Sequence, residues 1–143
     1  MPMFCLLANA VVAVAVSLTA WVCIPGGTWH PDEQVVRAAA SRLKQAVEKR
    51  AMHVRASLPD WSEYTFQYQG QMFHGKKVLY VNAYCRSLVP SGVKLKQHTT
   101  EQFVTVNDGG TCYFQAYYDP AAKKYLLVGF GGPVPGPASQ PGT

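Results

Sequence analysis

The chain of 143 residues has little charge, and the charge it has is unevenly distributed. Only 15% of its residues are Asp, Glu, Lys or Arg, residues 1–31 contain none of these, and the formal net charge is +5. Nothing repeats at the period of a solenoid, which excludes that architecture. The hydrophobic content of 48% excludes a wholly disordered chain, and the length favours one compact domain.

The sequence also lacks the residue patterns that most enzyme sites need. The four histidines have no metal-ligand spacing with one another or with cysteine, so we expect no metal and no other cofactor. The glycines of residues 129–132 run into Pro133 with no helix behind them, unlike a phosphate-binding loop. The acidic residues fall at a predicted helix start and in turns, which leaves no obvious carboxylate pair. We therefore expect a protein that is not an enzyme.

Residues 4–24 form an almost continuous apolar run, which as a helix would extend roughly 32 Å, about the thickness of a bilayer core. Leu18-Thr19-Ala20 places small residues at the offsets that suit cleavage after Ala20. We therefore predict that residues 1–20 are a signal peptide or an N-terminal membrane segment, and that the protein is exported to the periplasm or secreted. No basic residue precedes the run, which leaves a retained anchor open; residues 4–24 would then contact the membrane.

The four cysteines bear on the same question. Cleavage after Ala20 would leave Cys23 as an odd thiol, whereas a lipidated Cys23 would let the other two pair; Trp21 and Val22 are poor residues before a lipidated cysteine. Export favours a disulfide between Cys85 and Cys112 over two buried thiols. A nucleophilic role for Cys112 is disfavoured, because its place on the buried face of a strand suits a structural cysteine.

A long helix is predicted after residues 21–30, which we expect to be a linker broken by Pro25-Gly26-Gly27. The helix begins near Pro31, with Asp32 and Glu33 opposing the positive end of its dipole, and extends about 26 residues to Pro59. One apolar stripe follows helical spacing: Val36, Ala40, Leu43, Val47, Ala51, Val54 and Leu58. The stripe is narrow and lacks Trp and Phe, which favours packing on a sheet over binding at a membrane surface.

From Tyr64 the apolar period changes to two, which is typical of strands. The pattern predicts turns at Gly70, residues 74–76 and residues 107–110, and a disordered Pro/Gly tail over residues 133–143. The predicted strands are residues 64–69, 78–85, 100–106, 112–118 and 125–130. One face of the second strand carries Leu79, Val81, Ala83 and Cys85. These elements make a two-layer α+β domain over residues 31–132, in which the helix packs on a curled antiparallel sheet of four to five strands.

In a plain meander, Cys85 and Cys112 would lie at opposite ends of the sheet, too far apart for a disulfide. Either the bond is absent, or the chain crosses over so that the strand from Cys112 pairs directly with residues 78–85. Export favours the second arrangement, and the strand order stays open.

This order of elements resembles the cystatin-like arrangement, in which a curled antiparallel sheet wraps a long N-terminal helix. The residues Gly75-Lys76-Lys77-Val78 through Cys85, with residues 108–114, also resemble small exported bacterial proteins of uncharacterised role. The resemblance covers residues 31–132. It implies a fold and a co-occurring cysteine pair, but no activity.

Cystatins that inhibit cysteine proteases carry glycines before the helix, a Gln-x-Val-x-Gly hairpin and a Pro-Trp loop. Gly26-Gly27 fit the first element. Residues 34–38 lack the final glycine of the second and fall inside the predicted helix, and no Pro-Trp pair occurs. Protease inhibition therefore remains an alternative with an incomplete motif.

We expect an exported, non-catalytic module that binds another protein of the cell envelope or forms part of an assembly. Its interface would be four exposed tyrosines on the outer face of the sheet: Tyr80, Tyr84, Tyr113 and Tyr117. Ordinary sheet propensity explains these tyrosines equally well. The alternative is a small-ligand or enzymatic pocket between helix and sheet. Nucleic-acid binding is not expected, because the lysine pairs lie in predicted turns and loops and the protein is exported.

Overall fold

The computed structural model describes residues 17–88, 99–106 and 109–131. The predicted apolar centre of the signal peptide and the predicted tail (residues 133–143) lie outside these residues. Within them the order is β1 (Trp21–Cys23), α1 (Glu33–His53), β2 (Tyr64–Phe73), β3 (Lys76–Cys85), β4 (Tyr113–Asp119) and β5 (Lys124–Phe130). Short 3₁₀ turns occupy Trp61–Glu63, Arg86–Leu88 and Gly110–Cys112.

The strands form one sheet in sequence order, β1-β2-β3-β4-β5. β1 pairs with β2 in parallel, and the other pairs are antiparallel. The α+β class is confirmed, whereas the wholly antiparallel sheet is wrong because of β1. Residues 21–30, which the sequence predicts as a linker, therefore include an edge strand. Trp21 of β1 stacks on Phe66 with ring centroids 4.8 Å apart.

The start of α1 agrees with the sequence, but its end does not. The Asp32 carboxylate caps the helix by accepting a hydrogen bond from the Val35 N–H at 3.0 Å. The helix ends at His53 because Arg55 adopts a left-handed φ of +57° and the Ala56 N–H bonds back to the carbonyl of Ala51. This Schellman closure usually uses glycine, so the sequence carries no signal for it and the predicted helix runs too far.

Most of the predicted helical stripe is buried. Four of its members are buried in the structure: Val36, Leu43, Val47 and Ala51. Ala39 completes the buried row instead of Ala40, which is only half-buried. Val54 is 44% exposed beyond the end of the helix, whereas Leu58 packs on the core from the segment that follows.

The hairpin between β2 and β3 turns at His74 and Gly75, and Gly70, a predicted turn residue, lies inside β2. Both turn residues have positive φ, as the tight two-residue turns of hairpins require. At Gly70 a Cβ atom would come within 2.2 Å of the Trp29 carbonyl oxygen, because the chain before α1 crosses the strand there. The glycine therefore marks a close backbone approach.

The Cys85–Cys112 disulfide is present, with the Cα atoms 5.0 Å apart. It is possible because β4 pairs directly with β3, as the predicted crossover required. The strand predicted over residues 100–106 is wrong: these residues form no strand and lie against the outer face of the sheet. The predicted turn at residues 107–110 therefore connects no hairpin, and residues 107–108 lie outside the described part.

The inner face of the sheet packs against α1 to form the main core. All of Leu79, Val81, Ala83 and Cys85 belong to it, as predicted. Aromatic rings from β2 and β4 fill the centre: Tyr64, Phe66, Tyr68, Phe114 and Tyr118. Among the strands, β5 approaches the helix backbone most closely, and its Tyr125 hydroxyl donates a hydrogen bond of 2.7 Å to the Ala39 carbonyl. The helix therefore lies toward one edge of the sheet.

Candidate functional site

The four tyrosines of the predicted interface share the outer face of the sheet but are not exposed there. Tyr84, Tyr113 and Tyr117 are buried, at 6%, 2% and 0% exposure, and Tyr80 is half-buried. Residues 99–106, which we call the crossing segment, cover this face. The expected exposure of the tyrosines is therefore wrong.

Three buried amides hold the crossing segment in place. Gln67, Asn82 and Gln115 lie side by side on β2, β3 and β4. The Gln115 Nε2 donates to Asn82 Oδ1 at 3.0 Å, and the Asn82 Nδ2 donates to Gln67 Oε1 at 2.9 Å. We call this row the amide ladder.

The ladder bonds the main chain of the crossing segment. Gln67 donates from Nε2 to the carbonyls of Thr99 and Gln102, both at 2.8 Å, and Asn82 donates from Nδ2 to the Val104 carbonyl at 2.9 Å. The Val104 N–H donates to Gln67 Oε1 at 2.8 Å. Because buried amides need hydrogen-bond partners, these bonds stabilise the amide ladder and at the same time hold the crossing segment against the sheet.

The tyrosines complete this contact around the ladder. The Val104 side chain packs on Tyr84 and Tyr113, and the Tyr113 hydroxyl donates to the Val104 carbonyl at 3.0 Å. The ring of Tyr80 meets Phe103 edge-on at 5.0 Å. Burial raises the pKa of the Tyr117 hydroxyl to about 12. The outer face of the sheet is thus covered by the crossing segment of the same domain.

The disulfide fastens the loop that carries the crossing segment, because Cys85 ends β3 and Cys112 immediately precedes β4. Cys23 is also disulfide-bonded. A sulfur in a disulfide cannot carry a lipid thioether, so a lipidated Cys23 would require that bond to be absent.

Within the residues that the structure describes, no three His, Cys, Asp or Glu side chains lie close enough to hold a metal ion. No helix in residues 17–88, 99–106 and 109–131 is both long enough and apolar enough to cross a membrane.

A groove of about 590 Å³ lies along the C-terminal half of α1 and β5. We call it the α1–β5 groove. It is open to solvent rather than enclosed. Among the described residues its lining comes from these two elements: Ala46, Lys49, Arg50, Met52 and His53 of α1, and Tyr125, Leu126, Leu127 and Val128 of β5. Met52 and Leu127 are 78% and 39% exposed. The groove therefore offers unusually exposed apolar surface.

The charged side chains of the groove are all basic. Lys49, Arg50 and His53 line it, and no carboxylate does so among the described residues. Arg42 lies near the same side, where its charge acts on Tyr118 and Tyr125. Burial is the main cause that raises the pKa of Tyr125 well above its usual value. That hydroxyl stays protonated as the donor to Ala39, which joins β5 to the helix beside the groove.

The groove runs beside backbone groups that can pair with another strand. In the described part of the chain, β5 has a neighbouring strand on one side only. The Gly131 N–H bonds to the Tyr113 carbonyl, and Phe130 and Val128 lie opposite Phe114 and Ala116. Because antiparallel strands alternate between bonded and non-bonded pairs, the N–H and C=O groups of Val128 and Phe130 point away from β4.

A second open cavity, of about 630 Å³, lies between the β2–β3 turn and the β4–β5 turn. Its Asp119 carboxylate accepts hydrogen bonds from the N–H groups of Ala121 and Ala122 and faces Lys76 at 3.7 Å. The backbone bonds are the largest influence that lowers the pKa of Asp119. These contacts close a turn, so we assign no binding role to this cavity.

Sequence reasoning missed the groove, although part of its signal is present. Arg42, Ala46, Arg50 and His53 repeat at helical spacing beside the buried stripe, which indicates a second face of the helix. That this face overhangs the edge of the sheet follows only from the strand order.

Comparison of the chain with protein-family models, curated proteins and solved structures found no match.

Proposed function

We propose that this protein is an exported, non-catalytic binding module that holds an extended segment of another protein in the α1–β5 groove. The observation that carries the proposal is the position of the helix. It lies over the β5 edge and leaves a groove of about 590 Å³ under its C-terminal half, beside strand groups that have no strand partner in the described residues.

An extended segment fits both walls of the groove. Its main chain would pair with the outward N–H and C=O groups of Val128 and Phe130, as in other complexes that add a strand to a sheet. Its side chains on one face would lie under α1 against Ala46 and Met52. Covering the apolar surface of Ala46 and Met52 on the helix side, and of Leu127 on the other face, contributes free energy that an edge strand alone does not offer.

The second candidate is a small ligand that binds in the same groove. The volume of the groove suits a drug-sized molecule, and the imidazole of His53 is part of the lining. However, pockets that bind small molecules usually bury most of the ligand surface, and this groove is open along its length. An extended chain gains main-chain hydrogen bonds in such a groove, so we prefer it.

Two further parts of the proposal are export and a cystatin-like fold, and each rests on a less specific observation. The Cys85–Cys112 disulfide is compatible with an oxidising compartment, which supports export. One helix packed on a mainly antiparallel sheet supports the cystatin-like expectation. Residues 34–38 lie in the first turns of α1 rather than in a hairpin, so the inhibitor alternative gains no support.

The proposal is tested with a displayed library of random extended peptides selected on the full chain. The best binder is measured by fluorescence anisotropy against the wild type and two variants. Leu127→Asp places a charge in the groove, and Met72→Asp is the matched control, since Met72 is a similarly exposed apolar residue on another strand. We expect roughly tenfold weaker binding for Leu127→Asp and no change for the control.

Strand pairing is tested by N-methylating alternate amides of the same peptide. Methylation in one register removes the donors that face β5, so that peptide should lose binding while the opposite register keeps it. The amides of Val128 and Phe130 should also exchange more slowly in the complex. Equal binding of both methylated peptides, or protection confined to the cavity near Lys76, would overturn the proposal.

A further inference from the structure

We infer that the segment taken up by the α1–β5 groove is acidic, with carboxylates at alternate positions facing the helix. This inference rests on the proposed function and names the chemistry of its partner. It is carried by the segregation of charge around α1, which is independent of the groove's shape.

Several basic residues of the helix lie on the side of the groove, whereas Arg37 and Lys44 do not. Lys49, Arg50 and His53 line it, and Arg42 acts on Tyr125 of the same wall. The acidic residues of α1 lie elsewhere. Glu33 is paired with Arg37 at 2.7 Å in the first turn, and Glu48 is not part of the lining. Among the described lining residues, no carboxylate therefore neutralises the basic side chains of the groove.

The strand geometry decides where a partner's carboxylates would lie. In an added strand, side chains alternate between the helix side and the outer side of the sheet. Val128 faces the core, so its neighbours in an added strand on that face lie on the side of the groove that Arg50 and His53 line. Side chains on the other face lie beside Leu127, which favours apolar residues there. The expected segment thus alternates acidic and apolar residues.

The net charge of the whole chain also favours an acidic partner. Its formal net charge is +5, so the long-range field attracts an acidic segment and opposes a basic one. An anionic membrane offers the same charge but no main-chain donors for Val128 and Phe130, so we favour the peptide.

The experiment compares three short capped peptides in which Val alternates with Glu, Gln or Lys. Binding to the full chain is measured by fluorescence anisotropy at about 0.05 and 0.5 M salt, which changes the screening length severalfold. We expect the Glu peptide to bind roughly tenfold more tightly than the Gln peptide at low salt. The Lys peptide should bind most weakly, and salt should reduce the difference.

Charge-reversal variants locate the effect. Arg50→Glu should weaken the Glu peptide and strengthen the Lys peptide, each by roughly three- to tenfold. Lys44→Glu is the matched control, since Lys44 is exposed on the same helix outside the groove. It should change the binding of each of the three peptides much less than Arg50→Glu does.

The outcomes separate this inference from the proposed function. Equal binding of the three peptides with slower exchange at Val128 and Phe130 would overturn the acidic preference and leave strand addition intact. Failure of all three peptides to bind, with no change in exchange along β5, would contradict both. Binding of phosphatidylglycerol vesicles that depends on Arg50 and displaces the Glu peptide would replace the peptide by a membrane and overturn the inference.

Discussion

The two faces of the sheet are covered in different ways. On the inner face, α1 packs with apolar side chains on rings from β2 and β4. On the outer face, the crossing segment has no regular structure and is held by the amide ladder and by tyrosines. The first contact depends on buried area, whereas the second depends on hydrogen bonds between defined atoms.

The two kinds of contact tolerate substitutions differently. Apolar contacts are non-directional, so the inner face should accept substitutions that keep volume. A buried amide row fails when one member is lost, because its neighbours then keep unpaired polar atoms.

The largest effect we expect is that of alkaline pH, which acts on both faces at once. Burial raises the pKa of Tyr64 and Tyr68 on the inner face, and of Tyr117 on the outer face, to about 12. In the unfolded chain these hydroxyls titrate near 10, so from about pH 10 to 12 the unfolded state loses protons that the folded state keeps. The free energy of unfolding should be constant below pH 10 and fall as the pH rises to 12, measured by urea titration. Phenolate absorbance that appears near pH 10 in the folded protein would contradict this.

Phe114→Ala should be the most damaging substitution on the inner face. The ring lies 5.1 Å from Tyr64 and 5.9 Å from Phe130, and it is fully buried. Its removal should lower the free energy of unfolding by about 3–5 kcal/mol, measured by urea denaturation. Phe114→Leu is the control and should cost much less, because it keeps most of the volume. Similar losses for both would indicate that ring geometry, not volume, matters here.

Removing the disulfide with Cys85→Ala and Cys112→Ala should act mainly on the outer face. For a sequence separation of 27, the loss of chain constraint corresponds to roughly 3–4 kcal/mol. Amide exchange should accelerate first in the crossing segment, whereas the amides of α1 should follow global unfolding only. Uniform acceleration across the domain would show that the crossing segment has no separate opening.

Asn82→Leu should break the amide ladder at its centre. It leaves Gln67 and Gln115 without their shared partner and removes the bond to the Val104 carbonyl, at a cost of about 2–3 kcal/mol. The Val104 amide should then exchange faster. Val81→Ala, one residue away on the inner face, is the control and should leave that amide protected relative to global unfolding. Equal exchange in both variants would remove the distinction between the faces.

The smallest effect we expect on the free energy of unfolding comes from removing a single tyrosine hydroxyl group, at Tyr113 or at Tyr68. Tyr113→Phe removes the bond to the Val104 carbonyl and should cost about 1 kcal/mol. Tyr68→Phe should cost about 0 kcal/mol, because its buried hydroxyl has no hydrogen-bond partner among the described residues. Thermal denaturation of the two variants checks this. A larger loss for Tyr68→Phe would show that its hydroxyl is satisfied in solution.

The alternation of residues predicted the faces of the strands but not what covers them. Leu79, Val81 and Ala83 face the core as expected, because the side-chain period of a strand is local. Residues 100–106 are predicted as a strand but form none, since β4 pairs with β3 and the segment crosses the face instead. That competition is between distant parts of the chain and leaves no mark in a local pattern.

The helix and the groove show the same limit. Asp32 is a readable helix start, whereas the end at His53 depends on Arg55 in a conformation that glycine usually adopts. The second face of α1, with Arg50 and His53, is visible in the spacing. The role we propose for this face depends on β5 being an edge strand within the described residues, which periodicity does not encode.

The amide ladder contacts the crossing segment through its main chain, and this makes the segment a natural place for protein engineering. Thr100 and Glu101 are exposed, and none of the ladder's hydrogen bonds uses their side chains. Foreign side chains placed at these two positions would be displayed on a backbone anchored at both flanks, which suits the grafting of an epitope or a fluorescent label.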